Sequence, residues 1–416
     1  MPRKSEFVLK DSPPDVIAAS PNITPKGRAY DRDISMKQTG SVKIDEILLG
    51  TKLACVSITD DKQDTLANIS KSNPWHEVAL TTICGSIKKA RRPLTHILDV
   101  HFGLKLDHHI DVTKLVCSHL HAVDTQGFIA HNDDTIVVSF RSSTNALDWM
   151  TNFSIASSEW EPDVDLPKGH SGHFSSLDGR LNLFNGGKKK PRVHTGIYNN
   201  ILSVIPLLEK YVHPLLQPDQ PPRTLYVVGH SLGGGVSTLA TCHFLLSYDW
   251  ANLPHRLLNI SAGTPRSCAT AMANLMEEKL AVLRPLGKAN VFRVVVDEDV
   301  ACRVPGPGYA HFGKAIFVTE DGEVLINPQL DLGFREMTKR RLKRTFIKGV
   351  LSKVVEQEEE RDEKDDNDEY LDEKEGTRNT KYQRLMAKIP KMFRDHCPDC
   401  YLEPLVRLCK QENGDM

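Results

Sequence analysis

The sequence predicts an α/β fold, a mostly parallel central sheet with helices on both faces, extended by a disordered tail and a charged insertion. Three observations point there. Short, nearly all-apolar runs recur through the middle of the chain, as expected of strands buried on both faces. Helical stretches separate those runs, and strands alternating with helices give a parallel sheet. The chain has 416 residues, 40% hydrophobic and 26% charged, so it can bury a sizeable core.

Residues 1–42 are polar and carry Pro13, Pro14, Pro21 and Pro25; they read as a disordered tail. Residues 43–125 read as a helical part of the domain. Ile44, Ile47, Leu48 and Leu53 mark one helical face, and Val78 to Ile97 a second helix. The core is expected over 126–332. There Gly127–Ala130, a turn at Asn132-Asp133-Asp134 and Thr135–Phe140 read as a β-hairpin. Further strands are expected at Thr224–Val228, Leu257–Ala262 and Val291–Val296, with helices over Ile197–Leu216 and Gly234–Leu246.

Charge excludes some functions. Fifty-three Lys+Arg balance 54 Asp+Glu for a net charge of −1, so no global positive field marks a nucleic-acid partner. No run approaches the roughly 20 apolar residues of a membrane span. The basic N-terminus lacks the apolar run of a secretory signal, and the nine cysteines read as reduced thiols. The expectation is an intracellular protein, cytoplasmic or peripheral to membranes.

The sharpest local signal is Gly229-His230-Ser231-Leu232-Gly233. It follows an apolar strand and precedes a helical pattern, the context in which Gly-x-Ser-x-Gly forms a nucleophile elbow. Small residues two before and two after the serine let strand and helix approach closely. Ser231 then stands above the strand ends, at the positive end of a helix. A serine hydroxyl is a poor nucleophile without a base. On such an elbow the partners follow in the order Ser, acid, His. Asp297-Glu298-Asp299 comes directly after the strand Val291–Val296, and two histidines, His311 and His396, come later. Order alone leaves both open as the base.

Further blocks accompany the elbow. These are Ile136–Arg141 with Asp148-Trp149 and Asn152, His194-Thr195-Gly196-Ile197-Tyr198, Gly263-Thr264-Pro265-Arg266, Arg293-Val294-Val295 leading to Asp299-Val300, Gly308–Gly313, and Asp395-His396 with Tyr401 five residues on. In these blocks the chain resembles the class 3 lipases, the fungal lipase-like family of α/β-hydrolases, over about 115–330 and 390–402. The resemblance implies a lipase or esterase acting on acylglycerol-type lipid esters. It implies Ser231 as nucleophile, Asp299 as acid and His396 as base, with His311 the runner-up. It also implies an oxyanion hole from Leu232 and Ser143. Family members mostly have Gly where this chain has Ser142. They tend to have Val-Pro at Ala301-Cys302, a departure expected to leave the three catalytic positions untouched. No cofactor and no metal is implied. Phospholipase A1, a soluble-ester esterase and a catalytically silent binding module are the alternatives.

Two lesser motifs read as structural. Cys397 and Cys400 form a C-x-x-C without a second pair, so an incidental thiol pair is expected rather than a redox or zinc site. His108, His109, Cys117, His119 and His121 lack a supporting ligand spacing and read as packed or solvated side chains.

Two segments read as insertions. Residues 153–192 fall where the family carries a lid, with Trp160, Leu166, Phe174, Leu181, Leu183 and Phe184 as apolar candidates. Residues 333–391 are basic, then acidic, then basic, and 392–416 form a C-terminal segment with His396. Residues 335–353 hold eight Lys/Arg against Glu336, and 356–375 hold thirteen acids and three bases. The first block is also amphipathic, which fits peripheral contact with an anionic membrane or lipid droplet. The bland alternative is a pair of basic helical faces joined by a solvated acidic linker. Oligomeric state is not legible.

Overall fold

The computed structural model describes residues 42–57, 74–90, 92–116, 121–142, 156–161, 191–319, 321–326 and 391–413. The tail, most of the lid candidate, Ser143, Cys117, His119 and nearly all of the charged insertion lie outside the described residues.

An eight-stranded sheet organises the molecule. Its strands are β1 (Lys105–Val116), β2 (His121–His131), β3 (Thr135–Phe140), β6 (Thr224–His230), β7 (Arg256–Ala262), β9 (Ala289–Val296), β11 (Lys314–Val318) and β12 (Val324–Ile326), adjacent in that order. The five from β3 to β11 run parallel, and antiparallel strands flank them on both sides. A smaller sheet joins β4 (Ser157–Glu159), β5 (Arg192–His194), β8 (Cys268–Ala269) and β10 (Tyr309–Ala310).

The helices form two layers. On one face lie α1 (Ile44–Val56), α2 (Pro74–Cys84), α4 (Leu94–Phe102) and α9 (Pro398–Asn413), packed on Tyr226, Val228, Leu258 and Ile260. On the other lie α5 (Thr195–Tyr211), α6 (Leu232–Ser247) and α7 (Thr270–Leu283), packed on Leu225, Val227 and Leu257. Successive residues of β6 thus feed opposite cores, the period of two that a strand imposes. Burying side chains such as Phe128, Phe140 and Phe292 completely stabilises the domain by about 1.5–3 kcal/mol each.

Three expectations need correction. Residues 105–116 and 121–125 of the segment expected to be helical are strand. Their run Lys105-Leu106-Asp107-His108-His109-Ile110 mixes polar and apolar residues. It suits an antiparallel strand at a sheet margin and gives no continuous apolar run. The single helix expected from Val78 to Ile97 is broken into α2, α3 (Ile87–Ala90) and α4. Gly85, in the left-handed region at φ 78°, ends α2, and Pro93 precedes α4 because it cannot continue a helix.

The boundaries of the lid candidate also change. Ser157, Ser158 and Glu159 pair with His194, Val193 and Arg192, so residues 157–159 and 192 of the 153–192 segment belong to the small sheet. Trp160 is buried against Tyr198, ring centroids 5.4 Å apart, and belongs to the core cluster around α5. The other five apolar candidates lie outside the described residues. His108 stacks on Tyr211 at 4.4 Å, a packed side chain as expected.

Candidate active site

The residues of interest gather at the carboxyl ends of the parallel strands. Strand β6 ends at His230, and Ser231 caps α6 with φ 56° and ψ −124°. A non-glycine residue held there stores about 1–3 kcal/mol of strain. The surroundings impose it. The Ser231 amide donates to Ala262 O of β7 at 2.9 Å, and the Ser231 carbonyl accepts from Gly235 N at 3.1 Å. A Cβ on Gly229 would overlap the Gly233 carbonyl, and one on Gly233 would overlap the Phe140 carbonyl. The two motif glycines therefore let α6 seat against its own strand and against the end of β3.

The acid candidate lies two strands away in the same sheet. After β9 the chain turns through Asp297, Glu298 and Asp299, and Asp299 is fully buried. His396 arrives from far along the chain, between α8 (Lys391–Arg394) and α9. Its Nδ1 stands 3.0 and 3.1 Å from the two Asp299 carboxylate oxygens, and its Nε2 stands 2.8 Å from Ser231 Oγ. A carboxylate only accepts, so Nδ1 carries the proton and Nε2 is left to accept from the Ser231 hydroxyl. Burial by itself would raise the Asp299 carboxyl. The His396 ring, and hydrogen bonds from His396, Tyr401 and Ala301, outweigh it and hold the carboxyl below its ordinary value.

Asp299 is more heavily bonded than the sequence implied. The Ala301 amide donates to Oδ1 at 2.8 Å, the Cys302 thiol to Oδ2 at 3.3 Å, and the Tyr401 hydroxyl also to Oδ2. The expectation that the Ala301-Cys302 departure leaves these positions untouched is corrected: both residues bond the carboxylate directly. Burial, followed by the nearby Asp299 charge, pushes the Cys302 thiol well up, so it stays protonated and able to donate.

The structure brings Ser231, Asp299 and His396 together and puts His311 elsewhere. His311 Nε2 donates to the Cys302 carbonyl at 2.8 Å. Burial and then the Arg293 charge hold its pKa well below the ordinary histidine value, so its ring is neutral. Arg266 donates to the carbonyls of Arg303 (2.6 Å) and Pro305 (2.8 Å), and Arg293 to that of Phe312 (3.1 Å). The blocks around Arg266, Arg293 and His311 thus brace the loop that follows Asp299.

Leu232 opens α6, where first-turn amides have no intrahelical acceptor. Ser142 is buried at the end of β3, and Ser143 lies outside the described residues. The Cys397 thiol donates to Phe393 O and the Cys400 thiol to Arg394 O, and burial raises both pKa values.

Two residues escaped sequence reasoning. His230 donates from Nε2 to the His396 carbonyl at 3.0 Å, and the two rings sit 4.8 Å apart. Its place inside the elbow motif was the available signal. Gly263, at φ 59°, passes so close that a Cβ there would lie 2.8 Å from Tyr401 Oη and 2.9 Å from His396 Cε1. Its place in the Gly-Thr-Pro-Arg block was the signal in that case.

With this geometry in place, comparison with known proteins gives three results. Residues 137–309 match the family model for lipase (class 3); the span includes Ser231 and Asp299 and stops before His396. A comparison with curated proteins finds no match. Similar solved structures include the Rhizomucor miehei triacylglyceride lipase (17% identity, 71% of this chain and 89% of that one, TM-score 0.43). They also include a lipase from Rhizopus microsporus var. chinensis (20%, 67% and 84%, 0.40) and a mono- and diacylglycerol lipase from Aspergillus oryzae (16%, 69% and 86%, 0.42).

Proposed function

We propose, from the match of residues 137–309 to the class 3 lipase family model, a serine-dependent lipase that hydrolyses acylglycerol-type esters through Ser231, His396 and Asp299. One observation carries the reading. A hydrogen-bonded line runs from the Ser231 hydroxyl through both nitrogens of His396 to a buried, charged Asp299. Packing alone asks for no such line. A buried carboxylate facing a buried imidazole and a strained serine costs stability, and catalysis gives it a purpose.

In this mechanism Ser231 Oγ attacks the ester carbonyl carbon while His396 Nε2 takes the hydroxyl proton. Asp299 keeps the ring in the tautomer that leaves Nε2 free and stabilises the imidazolium. The oxyanion is held by the amide of Leu232, with Ser143 as its proposed second donor. The imidazolium then protonates the departing alcohol. Water, activated by the same nitrogen, attacks the acyl-enzyme, releases the fatty acid and restores Ser231.

A fluorophosphonate probe tests the assignment. The wild type is expected to label at Ser231 and the Ser231→Ala variant not at all. Folded wild-type protein that resists labelling would identify a silent binding module instead. Gly263→Ala supplies a second test. The new methyl must displace the His396 ring or Tyr401, and alanine is strained at that φ. Hydrolysis should fall about 100-fold from the misplaced base, with about 1–3 kcal/mol of destabilisation. Ester turnover and a thermal melt on the same preparation read the two effects separately.

A further inference from the structure

The base candidate reaches the site on a segment that begins at Lys391, and that segment meets the acid-bearing turn at three consecutive residues. At Asp297, the carboxylate accepts an ion-paired hydrogen bond from Lys391 Nζ. At Glu298, the backbone amide donates to Asp395 Oδ2 at 3.0 Å. At Asp299, the carboxylate accepts from His396 Nδ1 at 3.0 Å. Lys391 Nζ also donates to Asp395 Oδ2 at 3.1 Å, so one ammonium joins the first two rungs. The side chains of Asp297 and Asp395 are 5% and 9% exposed, which limits screening by solvent and salt. Arg303 grips the same turn from behind, donating to the carbonyls of Asp297 (2.6 Å) and Asp299 (3.3 Å).

We propose that Lys391 is a positioning residue for the hydrolysis. Its ammonium clasps the carboxylate two before Asp299 to the carboxylate one before His396, and thereby fixes the imidazole between acid and nucleophile. The inference rests on the catalytic reading above and deepens it. The third rung is short only if the first two set the register. An imidazole misplaced by about an ångström costs on the order of 100-fold in rate. A charged pair is suited to the task because removing its cation leaves two nearly buried carboxylates facing each other, and these repel.

The test compares Lys391→Met, Lys391→Arg and wild type. In Lys391→Met, kcat for a soluble ester should fall by about 10- to 100-fold with KM little changed, and fluorophosphonate labelling should slow by the same factor. The acid limb of kcat/KM should also move to higher pH, because removing the Lys391 positive charge favours the His396 imidazolium. Loss of packing alone would not move that limb. Lys391→Arg keeps the cation and should restore both most of the rate and the position of the limb. If Lys391→Met does not fold, Asp297→Asn, which loosens one arm while preserving shape, should still lower kcat severalfold at constant KM. Wild-type rates and an unmoved acid limb in folded Lys391→Met, or in Asp297→Asn where that variant stands in, overturn the proposal. Failure of the catalytic reading looks different, since the wild type itself would then not label at Ser231.

Discussion

His396→Ala is expected to lower ester turnover by on the order of 10⁶-fold, while His311→Ala keeps turnover within a few fold of wild type. The argument is geometric. His396 Nε2 sits 2.8 Å from Ser231 Oγ, whereas His311 spends its Nε2 proton on the Cys302 carbonyl. His311 is also kept neutral by burial and by Arg293. Removing the base leaves an unactivated hydroxyl, and what survives comes from binding and the oxyanion donors. Because serine and histidine act as one unit, the Ser231→Ala/His396→Ala double variant should be no slower than either single variant. His311→Ala instead leaves a buried carbonyl without its donor, which costs about 1–3 kcal/mol and registers as a lower melting temperature. Steady-state kinetics beside thermal melts distinguish the two histidines. Equal losses of turnover in both variants would reject the assignment of His396.

How much of this was legible beforehand depended on how local each signal is. Strands β3, β6, β7 and β9 announce themselves because burial on both faces demands an unbroken apolar run, as in Leu225-Tyr226-Val227-Val228. Strand β1, with Lys105, Asp107, His108 and His109 in its first half, gives no such run. Ser231 was legible because its elbow is built from neighbours in sequence. Asp299 and His396 were narrowed by chain order and by the resemblance, yet order alone left His311 standing. Lys391, Asp297 and Asp395 carry no motif as a set. Their relation depends on two segments about a hundred residues apart meeting in register, which only tertiary structure displays. Cys302 illustrates the converse. A departure from the family pattern read as remote, and it proved to be a donor to the Asp299 carboxylate.

Gly233→Ala is the substitution expected to do most damage without touching a reacting group. The added Cβ would overlap the carbonyl of Phe140 and crowd that of Arg141, both backbone atoms of the β3 end, so no rotamer change relieves it. Either α6 lifts away from β3 or β3 shifts in the sheet. Strand β3 is paired to β2 and β6 along its length, so the helix is the part that yields. Its first turn carries the amide of Leu232, and its N-cap is Ser231 at φ 56°. Lifting that turn moves the nucleophile out of line with His396 Nε2 and moves the Leu232 amide away from the oxyanion position. Losing one such donor costs about 10²–10³ in kcat, and misplacing the nucleophile adds about another 10². Turnover in Gly233→Ala should therefore fall by at least about 10³-fold, and fluorophosphonate labelling of Ser231 should slow with it. The loss should appear in kcat in a protein whose circular dichroism remains that of wild type. A Gly233→Ala variant that turns over like wild type would mean that α6 is not seated on β3 as this contact requires.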